Sequence, residues 1–290
     1  MKRRGEKLME RAIKAMALSS FIVVLLIVLF LLKEGIFTFK WVKPKEFFLG
    51  LTWFPTQEPP KVGLVPLLWG SILVTFGAIV WSAPLGVGLA IYLAEIASAR
   101  LRGILKPALE ILAGIPSVVF GFFGMVFLGP FLQEVFGIPT GLCALNASIL
   151  LGFMALPTIV SLSEDALSAV PWTLKEASLA LGATRWQTIK YVSLPVASGG
   201  ILSAVILGVG RAIGETMTVL MAAGNAPIVS LSFLEPVRTM TATIALEMAE
   251  APKGSVHYHA LFAIGVVLLL VSMAFNVLAD FFQERWRKGI

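Results

Sequence analysis

Long stretches without a charged side chain dominate this 290-residue sequence and restrict what it can fold into. Six of them have at least the roughly 18 residues that a helix needs to cross about 30 Å of hydrocarbon. They cover residues 15–32, 62–94, 111–133, 135–163, 191–210 and 260–279. Since 58% of the residues are hydrophobic and 14% are charged, a hydrated soluble surface is excluded. The sequence therefore predicts an all-α, polytopic membrane protein with six transmembrane helices, called spans one to six below.

Proline and glycine refine the limits of these stretches. Gly63 and Pro66 indicate that the start of the second stretch lies outside the bilayer. Residues 216–234 are also uncharged, but Gly224 and Pro227 interrupt them, so we expect only their first turns to extend span five. Three regions follow: residues 1–65 (N-terminal tail, first span and outer loop), residues 66–283 (a core of spans two to six with a polar loop at 164–195) and residues 284–290 (C-terminal tail).

Lysine and arginine, which accumulate in the short loops on the cytoplasmic side of a membrane, predict the orientation. With the N-terminus inside, fifteen of them lie on the inner side and seven on the outer side, and Arg211 lies within the membrane. Both termini and the 164–195 loop are then cytoplasmic. The net charge of +6 follows from this asymmetry and gives no support to nucleic-acid binding. Cys143 is the sole cysteine, so a disulfide framework is excluded.

The polar segment at residues 173–195 separates two strongly apolar segments and still has helical features. Thr173 and Glu176 have the spacing of a capping box at a helix start, and Gly182 stands where a C-terminal glycine ends a helix. The apolar stripe of the predicted helix lies opposite Lys175 and Glu176 and consists of Leu174, Ala177 and Leu181. A helix of about nine residues is unstable alone in water and must dock against something.

This segment resembles the EAA loop of ABC-importer permeases. The matching residues are Glu176, Ala177 and Ser178, then Gly182, then Val192, Ser193, Leu194 and Pro195. Ser178 replaces the family's alanine and Val192 its isoleucine, and both changes are conservative. The resemblance implies a cytoplasmic coupling helix that sits in a cleft of an ATPase subunit. An amphipathic helix lying on the membrane surface is the alternative.

A second passage resembles a narrower group of permeases. Residues 106–124 read K-P-A-L-E-I-L-A-G-I-P-S-V-V-F-G-F-F-G, similar to the C-type permease subunits of phosphate-specific ABC importers. Lys106 before Pro107 suggests a helix start at the membrane face, and Gly114 with Pro116 suggests a break after it. The likeness extends over about residues 66–225.

Two opposite charges lie where span five should continue. Arg211 and Glu215 are four residues apart, so one continuous helix would stack them on one face and let each neutralise the other. An arginine inside the membrane costs at least about 2.5 kcal/mol, so it faces a partner or a water-filled path. A parallel row of small residues would let another helix approach closely: Gly200, Ala204, Gly208 and Ala212.

These two charges form the predicted substrate pathway. The planar guanidinium suits an oxyanion, and Glu215 could accept the hydrogen of a protonated phosphate. Sulfate and molybdate permeases resemble this chain in the same Arg-x-x-Gly-Glu segment, so the pair indicates oxyanions in general. A buried pair that only fixes the helix register is the structural alternative.

Other polar residues have simpler interpretations. Glu164 and Asp165 are expected at a solvated helix end, and Asn146 in a hydrogen bond between packed helices. His257 and His259 have no third ligand nearby, so no metal site is predicted.

The resemblance implies the membrane subunit of an ATP-driven importer, with inorganic phosphate as the expected substrate. No G-x-x-x-x-G-K-[ST] motif occurs, so the chain is expected to be no enzyme and to have no cofactor, with ATP and Mg²⁺ bound by a partner ATPase. The implied partners are a second permease, two ATPases, an extracytoplasmic phosphate-binding protein and the lipid bilayer of a bacterial or archaeal cytoplasmic membrane. A sulfate or molybdate permease, an ATP-independent anion carrier and a non-transporting scaffold remain as alternatives.

Overall fold

The computed structural model describes residues 2–287, with side chains from residue 9 to residue 284. Its helices are α1 (Lys2–Phe37), α2 (Pro44–Leu49), α3 (Val65–Ile91), α4 (Ala99–Gly114), α5 (Ser117–Phe123), α6 (Gly129–Phe136), α7 (Ala144–Ser168), α8 (Trp172–Ala180), α9 (Arg185–Thr188), α10 (Leu194–Ile213), α11 (Met217–Ala222), α12 (Met240–Glu247) and α13 (Val256–Arg287). Strands β1 (Trp53–Phe54) and β2 (Lys61–Val62) form a small antiparallel pair. The all-α prediction is confirmed.

Six helical segments of the described chain are long and apolar enough to cross a membrane, as predicted. They are Met9–Lys40, Val65–Ile96, Ser117–Phe136, Ala144–Ser168, Arg185–Ile213 and Val256–Glu284. Span three begins at Ser117 rather than at residue 111 because Pro116 separates it from α4. Because the spans follow one another, α4, α8 and α9 lie at one end of the bundle, the α8 end, and the long loops before α3 and α13 lie at the far end.

The helix α7 is the centre of the bundle. It packs against α3 and α10, and α10 packs against α13. Gly208 of α10 explains the close approach, because a Cβ there would lie 2.7 Å from a side-chain carbon of Ile159 on α7. The four small residues predicted to form a helix seam are all buried, so that prediction is confirmed. By contrast, α1 packs mainly against α13 and leaves most of its apolar surface exposed.

The passage before span three folds differently from the prediction. Helix α4 begins at Ala99, where Ser98 Oγ accepts a hydrogen bond from Leu101 N–H at 3.4 Å, and Pro107 lies inside it. A proline there is tolerated because the carbonyl that loses its donor belongs to Gly103, which is exposed to solvent. The predicted helix start at Lys106 is therefore wrong. The predicted break after Gly114 is confirmed.

Span five also ends earlier than expected. The helix α10 stops at Ile213, and α11 is a separate helix, so residues 217–222 do not extend span five as predicted. The described residues contain three π-helical turns: Tyr92–Ile96 at the end of span two, Gly124–Leu128 within span three and Ile189–Ser193 within span five, before α10. Such turns often occur at functional positions.

Candidate functional site

The predicted docking helix exists as α8, a nine-residue helix that begins at Trp172 after Pro171. It ends before Gly182, whose φ of +84° lies in the left-handed region that favours glycine. The predicted glycine stop is therefore confirmed. Leu181 and Gly182 then lead through a short turn to α9.

The capping box that we predicted for Thr173 and Glu176 is wrong. Because α8 begins one residue earlier, Thr173 lies within its first turn, and Glu176 Oε1 instead accepts a hydrogen bond from Trp172 Nε1 at 2.6 Å. A capping box does occur at the start of α9. There, Thr184 Oγ1 accepts from Gln187 N–H at 3.3 Å, and Gln187 Oε1 accepts from Thr184 N–H at 2.7 Å.

The two faces of α8 are arranged in an unexpected way. Lys175, predicted on the polar outer face, is buried and points towards the bundle, where its Nζ lies 2.9 Å from Glu95 Oε1. The predicted apolar stripe faces outwards, with Leu174 42% and Leu181 90% exposed. None of the described residues covers the stripe, so α8 presents an apolar surface at the end of the bundle.

One hydrogen bond joins the first part of the predicted coupling motif to α9. Glu176 and Ala177 are exposed on α8, whereas the half-buried Ser178 lies with its Oγ 3.0 Å from Thr188 Oγ1 at the end of α9. Beyond the π-helical turn, Leu194 and Pro195 open α10. The residues before Pro195 are already helical, so the proline lies within a continuous helical segment directly after the π-helical turn.

Arg211 lies in the last turn of α10 and is exposed. Within the described residues its guanidinium makes no hydrogen bond and no ion pair. Because Arg211 lies within span five, its charge requires either water or a partner group from outside the described residues.

Glu215 does not neutralise Arg211, contrary to our prediction of one continuous helix with an ion pair. Residues 214–216 interrupt the helix, and Glu215 Oε1 accepts hydrogen bonds from the N–H groups of Met217 at 3.1 Å and Thr218 at 3.4 Å. A carboxylate is favoured there because the first N–H groups of α11 have no acceptor within the helix. The Glu215 carbonyl also accepts from Thr241 Oγ1 at 2.7 Å. Glu215 therefore holds the break in place.

Two carboxylates at the α8 end have a role that sequence analysis missed. Glu164 is 1% exposed and forms ion pairs with Arg102 and with Lys106, whose Nζ lies 2.8 Å from Glu164 Oε2. The expectation of a solvated carboxylate is wrong for Glu164 and correct for Asp165, whose side chain is 66% exposed. The i, i+4 spacing of Arg102 and Lys106 was the available signal, since it places two cations on one face of α4. Glu95, the other missed carboxylate, is the first charge after the uncharged stretch 62–94.

The histidines lie apart from these charges, at the far end. His257 Nε2 lies 2.8 Å from Glu247 Oε2, and His259 Nδ1 lies 3.2 Å from Glu34 Oε2. Among the described residues, no three metal-ligating side chains come together. Asn146 has the predicted packing role, because its Nδ2 donates to the Gly124 carbonyl at 2.8 Å.

Comparison with known proteins places this arrangement in a family. The family described as "Binding-protein-dependent transport system inner membrane component" matches residues 86–288. The probable ABC transporter permease protein YqgH of Bacillus subtilis is 42% identical over 244 residues, which cover 84% of this chain and 79% of that protein. The phosphate transport system permease protein PstC of Mesorhizobium japonicum is 34% identical over 259 residues, which cover 83% of this chain and 78% of that protein.

Solved structures show the same fold at lower identity. A bacterial alginate ABC transporter in complex with a pentasaccharide-bound periplasmic protein contains a chain that matches with a TM-score of 0.65 and 15% identity, covering 94% of both chains. The inward-facing MetNI methionine ABC transporter contains one with a TM-score of 0.60 and 21% identity, covering 77% of this chain and 95% of that one. The chain is therefore a multi-pass inner-membrane protein that belongs to the family of binding-protein-dependent transport system inner membrane components.

Proposed function

We propose that this chain is the membrane-spanning subunit of an ATP-driven importer of inorganic phosphate. The choice of phosphate as the substrate is supported by the similarity to phosphate transport permeases over most of the chain, at identities of 30% and above. In this proposal, the α8 end and both termini face the cytoplasm, as the distribution of lysine and arginine favours.

The exposed apolar face of α8 is the proposed contact with an ATPase subunit. Its stripe of Leu174, Ala177 and Leu181, with Glu176 beside it, is left uncovered by the residues that the structure describes. Burial of such residues in a cleft of a partner would stabilise a helix that is too short to persist alone. ATP and Mg²⁺ are bound by that partner, because the sequence has no phosphate-binding loop.

Arg211 is the proposed phosphate ligand. Its fork of N–H donors can hold two oxygens of one anion, and it remains charged when it is dehydrated. Because Glu215 is engaged with the start of α11, the counter-charge of Arg211 is supplied by the anion itself in this proposal. Glu215 belongs to the pathway by holding the break that follows Arg211.

The complete transporter is proposed to contain a second similar permease, two ATPases and an extracytoplasmic phosphate-binding protein. Support comes from the family description, which names a binding protein. The two permeases would enclose the pathway between them, with Arg211 exposed on the surface of this chain that faces it. Transport then proceeds by alternating access, driven by movement of α8.

Uptake of labelled phosphate by the reconstituted complex tests the function. Arg211→Ala is expected to reduce uptake at least about 100-fold, the loss that follows when roughly 3 kcal/mol of charge-assisted hydrogen bonding is removed. Arg211→Lys keeps the charge without the fork and is expected to retain partial uptake. Normal uptake by an assembled Arg211→Ala complex would refute the role of Arg211.

The same assay separates the alternatives. Sulfate and molybdate are added as competitors, since the Arg-x-x-Gly-Glu segment also suits those anions. Uptake that is competed fully by sulfate would identify a sulfate-type permease. Uptake that continues without ATP but collapses with the ion gradient would identify a carrier instead.

A further inference from the structure

A buried ion pair joins α8 to span two. Lys175 Nζ lies 2.9 Å from Glu95 Oε1, and the two side chains are 10% and 9% exposed. Glu95 lies in the π-helical turn Tyr92–Ile96, which ends span two. Among the ion pairs of the described residues, this is the one that links α8 to a span.

The burial of both charges makes this contact difficult to break. A charge removed from water is tolerated when its partner stays close, and separation of the two would leave each one buried and uncompensated. The long side chain of Lys175 is thereby held towards Glu95. A movement of α8 away from span two is therefore opposed until Glu95 moves as well.

The other attachments of α8 lead to a different span. Its backbone packs against α9 and the π-helical turn before α10, and Ser178 bonds to Thr188 at 3.0 Å. Those contacts connect α8 with span five, which carries Arg211. Span two packs along the central helix α7, so the ion pair gives α8 a second connection to the interior of the bundle.

We propose that the Lys175–Glu95 ion pair transmits displacement of α8 to span two, so that spans two and five move together when the partner ATPase moves α8. Lys175 and Glu95 are thus positioning residues for transport. This inference rests on the proposed function, because α8 is displaced only if an ATPase binds it. The ion pairs of Glu164 with Arg102 and Lys106 have a different role, since they join α4 to α7 and do not involve α8.

The test measures phosphate transported per ATP hydrolysed by the full reconstituted complex. Lys175→Glu and Glu95→Lys each place like charges together, and each is expected to lower this ratio about tenfold, within the usual range of coupling between sites. The double variant Lys175→Glu with Glu95→Lys restores the attraction and is expected to recover the ratio to within about threefold of the wild type. A double variant that assembles but stays as uncoupled as the single variants would overturn the proposal.

Charge reversals elsewhere at the α8 end serve as controls. Arg100→Glu and Glu110→Lys alter exposed side chains of α4 that have no ion-pair partner among the described residues, so both are expected to keep the wild-type ratio. If the wild type and these controls fail to transport phosphate, the proposed function fails. If they transport it and Lys175→Glu keeps their ratio, only the ion-pair proposal fails.

A milder variant covers the case in which the reversed charges prevent assembly. Glu95→Gln keeps the size of the side chain and one acceptor oxygen but removes the charge, and it is expected to lower the ratio about threefold. An assembled Glu95→Gln complex with an unchanged ratio would also overturn the proposal.

Discussion

Replacement of Glu164 by glutamine is expected to loosen the attachment of α4 to α7. The side chain of Glu164 is 2% exposed, whereas those of its partners Arg102 and Lys106 are 39% and 41% exposed. Removal of one member of a fully buried pair costs about 3–5 kcal/mol. Here the two cations can turn towards water, so we expect the lower cost of lost charge-assisted hydrogen bonds, about 2–3 kcal/mol in total.

This loss of unfolding free energy corresponds to a measurable decrease in the melting temperature. With about 2–4 °C for each kcal/mol in a chain of this size, Glu164→Gln should melt roughly 4–12 °C below the wild type. The measurement is thermal unfolding of the purified protein in detergent, followed by tryptophan fluorescence. Asp165→Asn is the matched control. The side chain of Asp165 is 66% exposed, and its Oδ1 lies 3.9 Å from Lys106 Nζ. Such an exposed pair contributes at most about 1 kcal/mol to stability.

The comparison of the two variants decides the outcome. Glu164→Gln and Asp165→Asn change neighbouring residues in the same chemical way, and they differ in burial and in the number of cations that they contact. Equal melting temperatures for the two variants would refute the argument that the buried carboxylate holds α4 against α7.

Two further predictions concern helix packing and the sole thiol. Gly208→Ala should lower the melting temperature by the equivalent of about 1–3 kcal/mol, because its Cβ would lie 2.7 Å from Ile159. Gly210→Ala should be neutral or slightly stabilising, because its nearest neighbour would be 3.9 Å away and alanine is favoured over glycine within a helix. Equal effects of the two changes would contradict the close α7–α10 contact. Burial raises the pKa of the Cys143 thiol above its ordinary value, so its reactive thiolate fraction at pH 8 is lower than that of a free cysteine. Maleimide labelling of the folded protein, followed by mass spectrometry, should be slower at pH 8 than labelling of the denatured chain, and its rate should keep rising with pH beyond the pH at which the denatured chain reaches its maximum. Labelling at pH 8 as rapid as that of the denatured chain would contradict this burial.

The sequence predicted features that depend on neighbours along the chain. The position of α8 was foreseen to within one residue, because Gly182 supplies the left-handed conformation that ends it. Its first residue was missed by one position, since Thr173 has the sequence of a cap but α8 begins directly after Pro171. The capping box forms at Thr184, where the backbone enters α9 from an extended conformation.

The charged residues show where prediction from sequence failed. Arg211 and Glu215 have the spacing of an ion pair, but the free N–H groups at the start of α11 bind the carboxylate instead. That competition depends on a helix break held by contacts distant in sequence, such as the Thr241 hydroxyl on the Glu215 carbonyl. Lys175 is another example, because its partner Glu95 is 80 residues away along the chain.

By itself, the sequence determined that this protein is a bundle of six membrane helices with a short helix before Gly182, since hydrophobic length and glycine conformation are local properties. Only the tertiary structure decided which face of α8 is exposed, which carboxylates are buried against cations, and that Arg211 has no carboxylate partner among the described residues. The physical reason is that a charge selects its partner by distance in space and by desolvation, and neither is encoded in spacing along one helix.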